Sequence, residues 1–319
     1  MDKQNGDTPL RVFLWMVPRT NSTVFMKCLS FVDDAEVWLE PYLACHMNLT
    51  LYNPDWGKGN PAVERAKAEY EEMESKDEYA ALKKLEIEKA NQYKNVWPQE
   101  TFSYPWLKEQ LEKDPKDKKY VFIKEESFAI KDHLEYLPNV PTRHAFLIRH
   151  PQEVYTSFKN VCVNSADFAQ FPWDDYHIGD NVPFLPVKDL FKVHNDNWKY
   201  MKENLDSDPV IIDGFDLASQ PEVMLPKFFE KLGIPYKKSY LQWNGDPELV
   251  FSTWRGSSEF VILTSKTRVT SRAVESTRFE PPKYPRGTSR PEWKITDELK
   301  EYIEGAMPFY EEMYANRLT

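Results

Sequence analysis

The sequence is short of the features that would mark it as a secreted, membrane-bound or nucleic-acid-binding protein. It has three cysteines in 319 residues, Cys28, Cys45 and Cys162. These are too few and too scattered for a disulfide framework or a zinc site, and they read as reduced thiols of a cytosolic protein. No apolar run approaches the roughly 20 residues that a membrane helix needs. The polar stretch Met1–Leu10 lacks the apolar core of a signal peptide. The expectation is therefore a cytoplasmic protein with no membrane partner. Positive charge is in deficit: 41 basic residues against 51 acidic ones leave a net charge of −10. A general nucleic-acid binder needs basic surface to displace counterions, so that class is disfavoured, although a local basic pocket for a small anion is not. The nucleotide-triphosphate signature GxxxxGK[ST] is absent. There is no internal repeat and no low-complexity linker, and residues 1–319 read as one domain.

What is present is a globular composition, with 41% hydrophobic and 29% charged residues. A chain of this length can bury a large core without disulfides or a metal. Short apolar runs at Arg11–Val17, Ala35–Leu39, Tyr120–Lys124, Ala145–Arg149 and Val210–Asp213 read as buried strands. Between them lie helical stretches: Val24–Phe31, Gln152–Asn160, Leu190–Asn204, Pro221–Leu232 and Glu292–Arg317. Gly233 is expected to cap the fourth in the left-handed conformation. Pro226 and Pro308 should kink or break their helices, and Glu40-Pro41-Tyr42 should end the second strand. Pro61 to about Tyr93 is rich in Ala, Glu, Lys and Leu and reads as a surface helix pair. Strands alternating with helices imply an α/β fold with a mainly parallel sheet covered on both faces. Residues 48–118 form a helical insertion that would serve as an acceptor lid.

The segment Pro18-Arg19-Thr20-Asn21-Ser22-Thr23 lies where the first strand turns into a helix. Such a turn aims several backbone N–H groups and the positive end of the helix dipole at one spot. Thr20, Ser22 and Thr23 add hydroxyls, and Arg19 adds a permanent forked cation. Asn21 sits where a positive φ is expected, and Asn tolerates it best after Gly. The combination suits a phosphate or sulfate, though a plain capped turn has the same local pattern. Farther on, Arg149 ends a strand in Phe146-Leu147-Ile148-Arg149-His150-Pro151, and Ser157 follows two turns into the next helix. Ligands of open α/β sheets bind at the carboxyl ends of strands, so this pair suits a second phosphate.

Together the two elements resemble the donor-binding motifs of sulfotransferases that use 3′-phosphoadenosine 5′-phosphosulfate (PAPS). PRTNST is similar to that family's 5′-phosphosulfate loop, often PRSGST. FLIRHPQEVYTS is similar to its 3′-phosphate element, commonly LIRDP with a Ser eight residues after the Arg. Val210–Tyr236 and the C-terminal MPFYEEMYANRL add matches in the expected order, closer to bacterial-type members than to the cytosolic steroid and phenol enzymes. Asn48–Lys118 and Asn164–Leu185, where acceptor specificity usually resides in the family, match weakly. The family's usual Gly is Asn21 here, and the lysine of the cytosolic enzymes is Arg19.

The resemblance implies a P-loop-like sulfotransferase fold, PAPS as donor with PAP as product, no metal, and in-line transfer to the hydroxyl of a small alcohol or phenol. It implies donor contacts from Arg19, Thr20, Asn21, Ser22, Thr23, Arg149 and Ser157. Arg19 and Lys124 would stabilise charge on the leaving phosphate. Glu40, in a motif similar to the family's EP[FY], is the first choice for general base; Glu126 is second, and His46 and His133 are third. The late basic residue that meets the 3′-phosphate is left open among Arg255, Arg278 and Arg286. Tyr42, Tyr52, Trp56, Trp97, Phe102, Tyr104 and Trp106 would suit an apolar or ring-bearing acceptor, and Asp174 and Asp175 a cationic one. Oligomeric state is left open. Two other readings compete: a non-catalytic PAP- or anion-binding protein on the same fold, and a small-molecule kinase with a degenerate P-loop and Asp213 as its magnesium carboxylate.

Overall fold

The computed structural model describes residues 8–90, 92–164, 172–261 and 270–319. Seven strands form one sheet: β1 (Leu10–Met16), β2 (Ala35–Leu39), β3 (Val96–Trp97), β4 (Tyr120–Glu126), β5 (Thr142–Ile148), β6 (Val210–Asp213) and β7 (Trp254–Ser257). Their order is β3-β7-β2-β4-β1-β5-β6, and every pairing is parallel. The α/β class expected from the sequence is thus observed, with a sheet that is parallel throughout. β1 is nearly a continuous apolar run, and Val12 to Met16 are each at most 2% exposed. A strand buried on both faces needs that composition, and each such side chain contributes about 1.5–3 kcal/mol by burial.

The main helices are α1 (Ser22–Leu29), α2 (Pro41–Leu49), α3 (Pro61–Glu74), α4 (Asp77–Ala90), α5 (Tyr104–Glu112), α6 (Pro151–Asn164), α7 (Ile178–Asn181), α8 (Leu190–Asn204), α9 (Gly214–Ser219), α10 (Pro221–Leu232) and α11 (Glu248–Thr253), with a C-terminal helix over Asp297–Ala315. One core layer packs β-sheet residues against α5, α6, α8 and the C-terminal helix, and the other against α1 and α10.

Several local expectations are corrected. Helix α1 begins at Ser22, not Val24, because Asn21 already turns the chain. Glu40-Pro41-Tyr42 does not simply end β2 but starts α2, with Pro41 in the first turn where its missing N–H costs nothing. β4 runs on through Glu125 and Glu126, so Lys124 is not at the strand end, and all three are buried. The C-terminal helix starts at Asp297 and continues past Pro308; α10 likewise contains Pro226 and ends on Gly233 at φ 69°. β3, β7 and α5 were not foreseen.

Candidate active site

All strands being parallel, the carboxyl ends of β1, β2, β4, β5 and β6 open on one edge of the sheet. The loop after β1 lies between the two directions in which the chain winds, with β4 on one side and β5 on the other. Two of its residues, Arg19 and Asn21, have positive φ, 69° and 66°. Asn21 is the N-cap of α1, yet its side chain does not cap the helix. Its Nδ2 instead donates to the Gly214 carbonyl at 3.1 Å. The first N–H groups of α1 therefore lack a side-chain cap, which leaves the positive helix end open to an anion. Gly214 is required here, since a Cβ would sit 2.5 Å from the Thr20 carbonyl. Thr20 is fully buried and donates its hydroxyl to the Val17 carbonyl at 3.0 Å, so that hydroxyl braces the loop and is not offered to a ligand. The hydroxyls of Ser22 and Thr23 carry no such bond among the described residues.

The structure joins the two sequence motifs directly. Arg19 Nε donates to Ser157 Oγ at 3.2 Å. Arg149 Nη1 donates to the Arg19 carbonyl at 2.8 Å, and Arg149 Nε to Glu153 at 2.8 Å. Burial, and then the charge of Arg149, lower the Arg19 pKa to about 10, so the guanidinium is still charged at neutral pH. Glu153, one turn after Arg149, was missed from sequence, although the i,i+4 spacing signals the pair. Its second oxygen accepts the Gly287 N–H at 2.9 Å. Gly287 (φ 75°) also lies against the His150 ring.

That contact separates the three late arginines. Arg286 adjoins Gly287 and is bound to Asp213 and Asp216. Arg255 pairs with Glu36 at 2.8 Å above Trp38 and Trp97, and Arg278 pairs with Glu280 at the surface. Asp213 also accepts the N–H groups of Phe215 and Asp216 and the hydroxyl of Tyr310 at 3.2 Å. It is a buried bracket rather than a magnesium ligand, and among the described residues no group of three or more His, Cys, Asp or Glu is placed to hold a metal.

On the other side of β1, Lys124 and Glu40 form an ion pair. Glu40 has φ 46°, and its N–H donates to the Lys124 carbonyl at 2.8 Å. Glu125 accepts the N–H groups of Tyr42, Leu43 and Glu126 and so caps α2 from the neighbouring strand. Glu126 is 6% exposed, and its Oε2 has no hydrogen-bond partner. Burial, followed by the negative charge of Glu40, raises the Glu126 pKa well above the usual carboxylate range. Lys124 and Arg19 pull it down by less. His46 is held on the Phe184 carbonyl at 2.8 Å and His133 stacks on Tyr104; no hydrogen bond ties either to this cluster.

The aromatic residues expected to line the acceptor pocket are mostly core. Tyr42, Phe102 and Tyr104 are at most 4% exposed, while Trp97 stacks on Trp38 and meets the edge of Trp106. Tyr52 bonds Glu259, and Trp56 lies under Lys67. Asp174 pairs with Lys294. Helix α3 packs on α7. Cys162, missed from sequence, bonds Tyr176 and lies within range of the Arg19 charge.

No family model matches the chain. Over 239 residues, 74% of the chain, it is 26% identical to branched-chain-amino-acid aminotransferase-like protein 2 of Arabidopsis thaliana, and it spans only 32% of that protein's length. Among solved structures it is similar to the sulfotransferase domain of the Synechococcus PCC 7002 olefin synthase, with 17% identity and TM-score 0.49, covering 100% of this chain and 99% of that one. It is also similar to the sulfotransferase domain of the curacin biosynthetic pathway, with 15% identity and TM-score 0.48, covering 93% and 96%.

Proposed function

We propose that the chain is a PAPS-dependent sulfotransferase acting on a hydroxyl of a small-molecule acceptor. The observation that carries this reading is the direct coupling of the two anion-binding elements: Arg19 bonds Ser157, and Arg149 bonds the Arg19 carbonyl. A donor with a phosphate at each end of its nucleoside needs two such elements at a fixed separation, whereas a triphosphate does not. The chain's groups fit PAPS. The uncapped start of α1, with Arg19, faces one anion. Arg149 keeps Nη2 without a partner among the described residues for another. Gly287, beside Arg286, brings a late-chain arginine–glycine pair to the same place.

PAPS supplies the sulfuryl group when bound. Arg19 and the N–H groups after it stabilise charge on the leaving phosphate, as positioned donors do in transfers of this kind. Glu126 takes the acceptor proton, displacing Glu40 from first choice. Glu40 is engaged by Lys124, whereas burial and the neighbouring Glu40 charge strengthen Glu126 as a base. Glu40 thus serves by holding Lys124 and raising the basicity of Glu126.

Calorimetry with PAP tests the donor half. Wild type should bind it, and Arg149→Ala and Ser157→Ala should each weaken binding tenfold or more; no binding by wild type rejects the reading. Transfer of labelled sulfate from PAPS to a panel of alcohols and phenols tests the catalytic half, and a protein that binds PAP but transfers to none is the non-catalytic alternative.

A further inference from the structure

Lys159 has no role in the donor site, yet it is the least explained charge in the fold. It lies on α6, two residues after Ser157, and is 0% exposed. Its Nζ has no hydrogen-bond partner among the described residues. It lies 5.4 Å from the centroid of the Trp173 ring. Burying an ammonium without an acceptor is costly, so such groups are paired or serve a ligand. Its surroundings are charged. Burial opposes the protonated form most and lowers the Lys159 pKa; Glu298 and Asp174 favour that form by less, and Lys294 opposes it. Glu298 has its own buried Oε2 without a hydrogen-bond partner among the described residues, 3.7 Å from His177 Nδ1; its Oε1 accepts the Gly179 N–H at 3.0 Å. Cation and carboxylate therefore share a space without closing into an ion pair.

These groups are linked to the transfer site through Cys162. Cys162, one turn beyond Lys159, lies between Arg19, whose charge it feels, and Tyr176, which it bonds. Tyr176 belongs to the same stretch as Trp173, and it feels Glu69 of α3. The walls are thus α6, the stretch Trp173–Asn181 and the start of the C-terminal helix, with the insertion alongside.

We propose that Lys159 anchors an anion subsite of the acceptor pocket and that the acceptor is a hydroxyl compound bearing a carboxylate. That the carboxylate's owner is the acceptor rests on the sulfuryl-transfer reading; the anion subsite itself rests on the side chains alone. A single ammonium is a point donor suited to one monoanion. Glu298 and Asp174 repel a dianion, which sets this subsite apart from the arginine-built donor end. Trp173 offers a face for the apolar part of the same molecule.

The test is calorimetry with glycolate, 4-hydroxybutyrate and 4-hydroxybenzoate, each against its methyl ester, with PAP present and absent. At least one acid should bind wild type tenfold or more tighter than its ester. Lys159→Met should erase that preference and Lys159→Arg should retain part of it, while PAP affinity stays unchanged in both, which also shows that they fold. Equal binding of acid and ester by wild type, no binding of any acid, or an undiminished preference in Lys159→Met overturns the proposal. The two readings fail separately. Wild type that does not bind PAP sinks the transferase, whereas an acid preference lost in Lys159→Met upholds the anion subsite regardless.

Discussion

The two sides of β1 are built on opposite principles. Toward β5 and β6, charged and polar groups are tied pairwise: Arg149 with Glu153, Asp213 with Arg286 and Tyr310, Asn21 with Gly214. Toward β4 and β2, Glu40 and Glu126 share one lysine, and Glu126 keeps an oxygen without a hydrogen-bond partner among the described residues. A satisfied network is stiff and costs nothing to organise when a ligand arrives. A crowded one can hold a proton that an ordinary carboxylate would release, because burial and like charges raise its pKa. The first side suits binding and the second suits proton transfer.

Breaking the stiff side should cost the most. Asp213 is fully buried and brackets two N–H groups and Arg286. Asp213→Ala should lose about 3 kcal/mol in urea unfolding, the scale for removing one partner of a buried pair. A loss under about 1 kcal/mol would mean that Asp216 alone holds Arg286. On the crowded side the expected loss is in rate. Glu126→Gln should lower turnover by about 100-fold or more while leaving PAP affinity near wild type. The wild-type rate should rise with pH through the raised Glu126 pKa, and the variant should lose that limb. An unchanged profile would move the proton to Glu40.

The same contrast appears in stability against pH. Burial lowers His144 to about 4 and His194 to about 3. Both rings are neutral when folded but take a proton near pH 6.5 when unfolded. Each therefore contributes stability that is lost as pH falls below 6.5, at up to about 1.4 kcal/mol per pH unit. Glu126 has the opposite sign. Its raised folded pKa gives stability that is present at low pH and lost as pH rises through that value. Between pH 5 and 6.5, His194→Gln should flatten the wild-type slope and Glu126→Gln should steepen it. Slopes that move together would show that these groups do not set the acid limb.

Much of the frame was legible because it depends on patterns a few residues long. Apolar runs bounded by Pro or charge marked five of the seven strands, and a Gly after α10 marked its end. The donor loop was legible for the same reason: strand, turn residues and helix start are contiguous. What stayed hidden depends on contacts between distant segments. Nothing local distinguishes Arg286 from Arg255 or Arg278; only Gly287 reaching Glu153 across 134 positions does so. The burial of Glu125 and Glu126 has no local signal, because two acids ending an apolar run are usually solvated. They are buried because α2, itself unforeseen behind Glu40-Pro41, needs the Glu125 carboxylate at its N-terminus.

The smallest expected effect concerns the residue that joins the two sides. Asn21 does two things at once: it holds φ at 66° and ties the donor loop to Gly214. Asn21→Gly keeps the first and loses the second, which should cost about 0.5–1.5 kcal/mol, the net worth of one hydrogen bond. Asn21→Ala loses both and should cost about 1–2 kcal/mol more, the penalty for a Cβ in the left-handed region. Measured by denaturant unfolding, the gap between the variants isolates the backbone term, and the Gly variant isolates the tie. Equal losses would mean that the loop relaxes to negative φ without its amide anchor. PAP affinity should then fall in both variants, because the N–H groups of α1 would no longer converge.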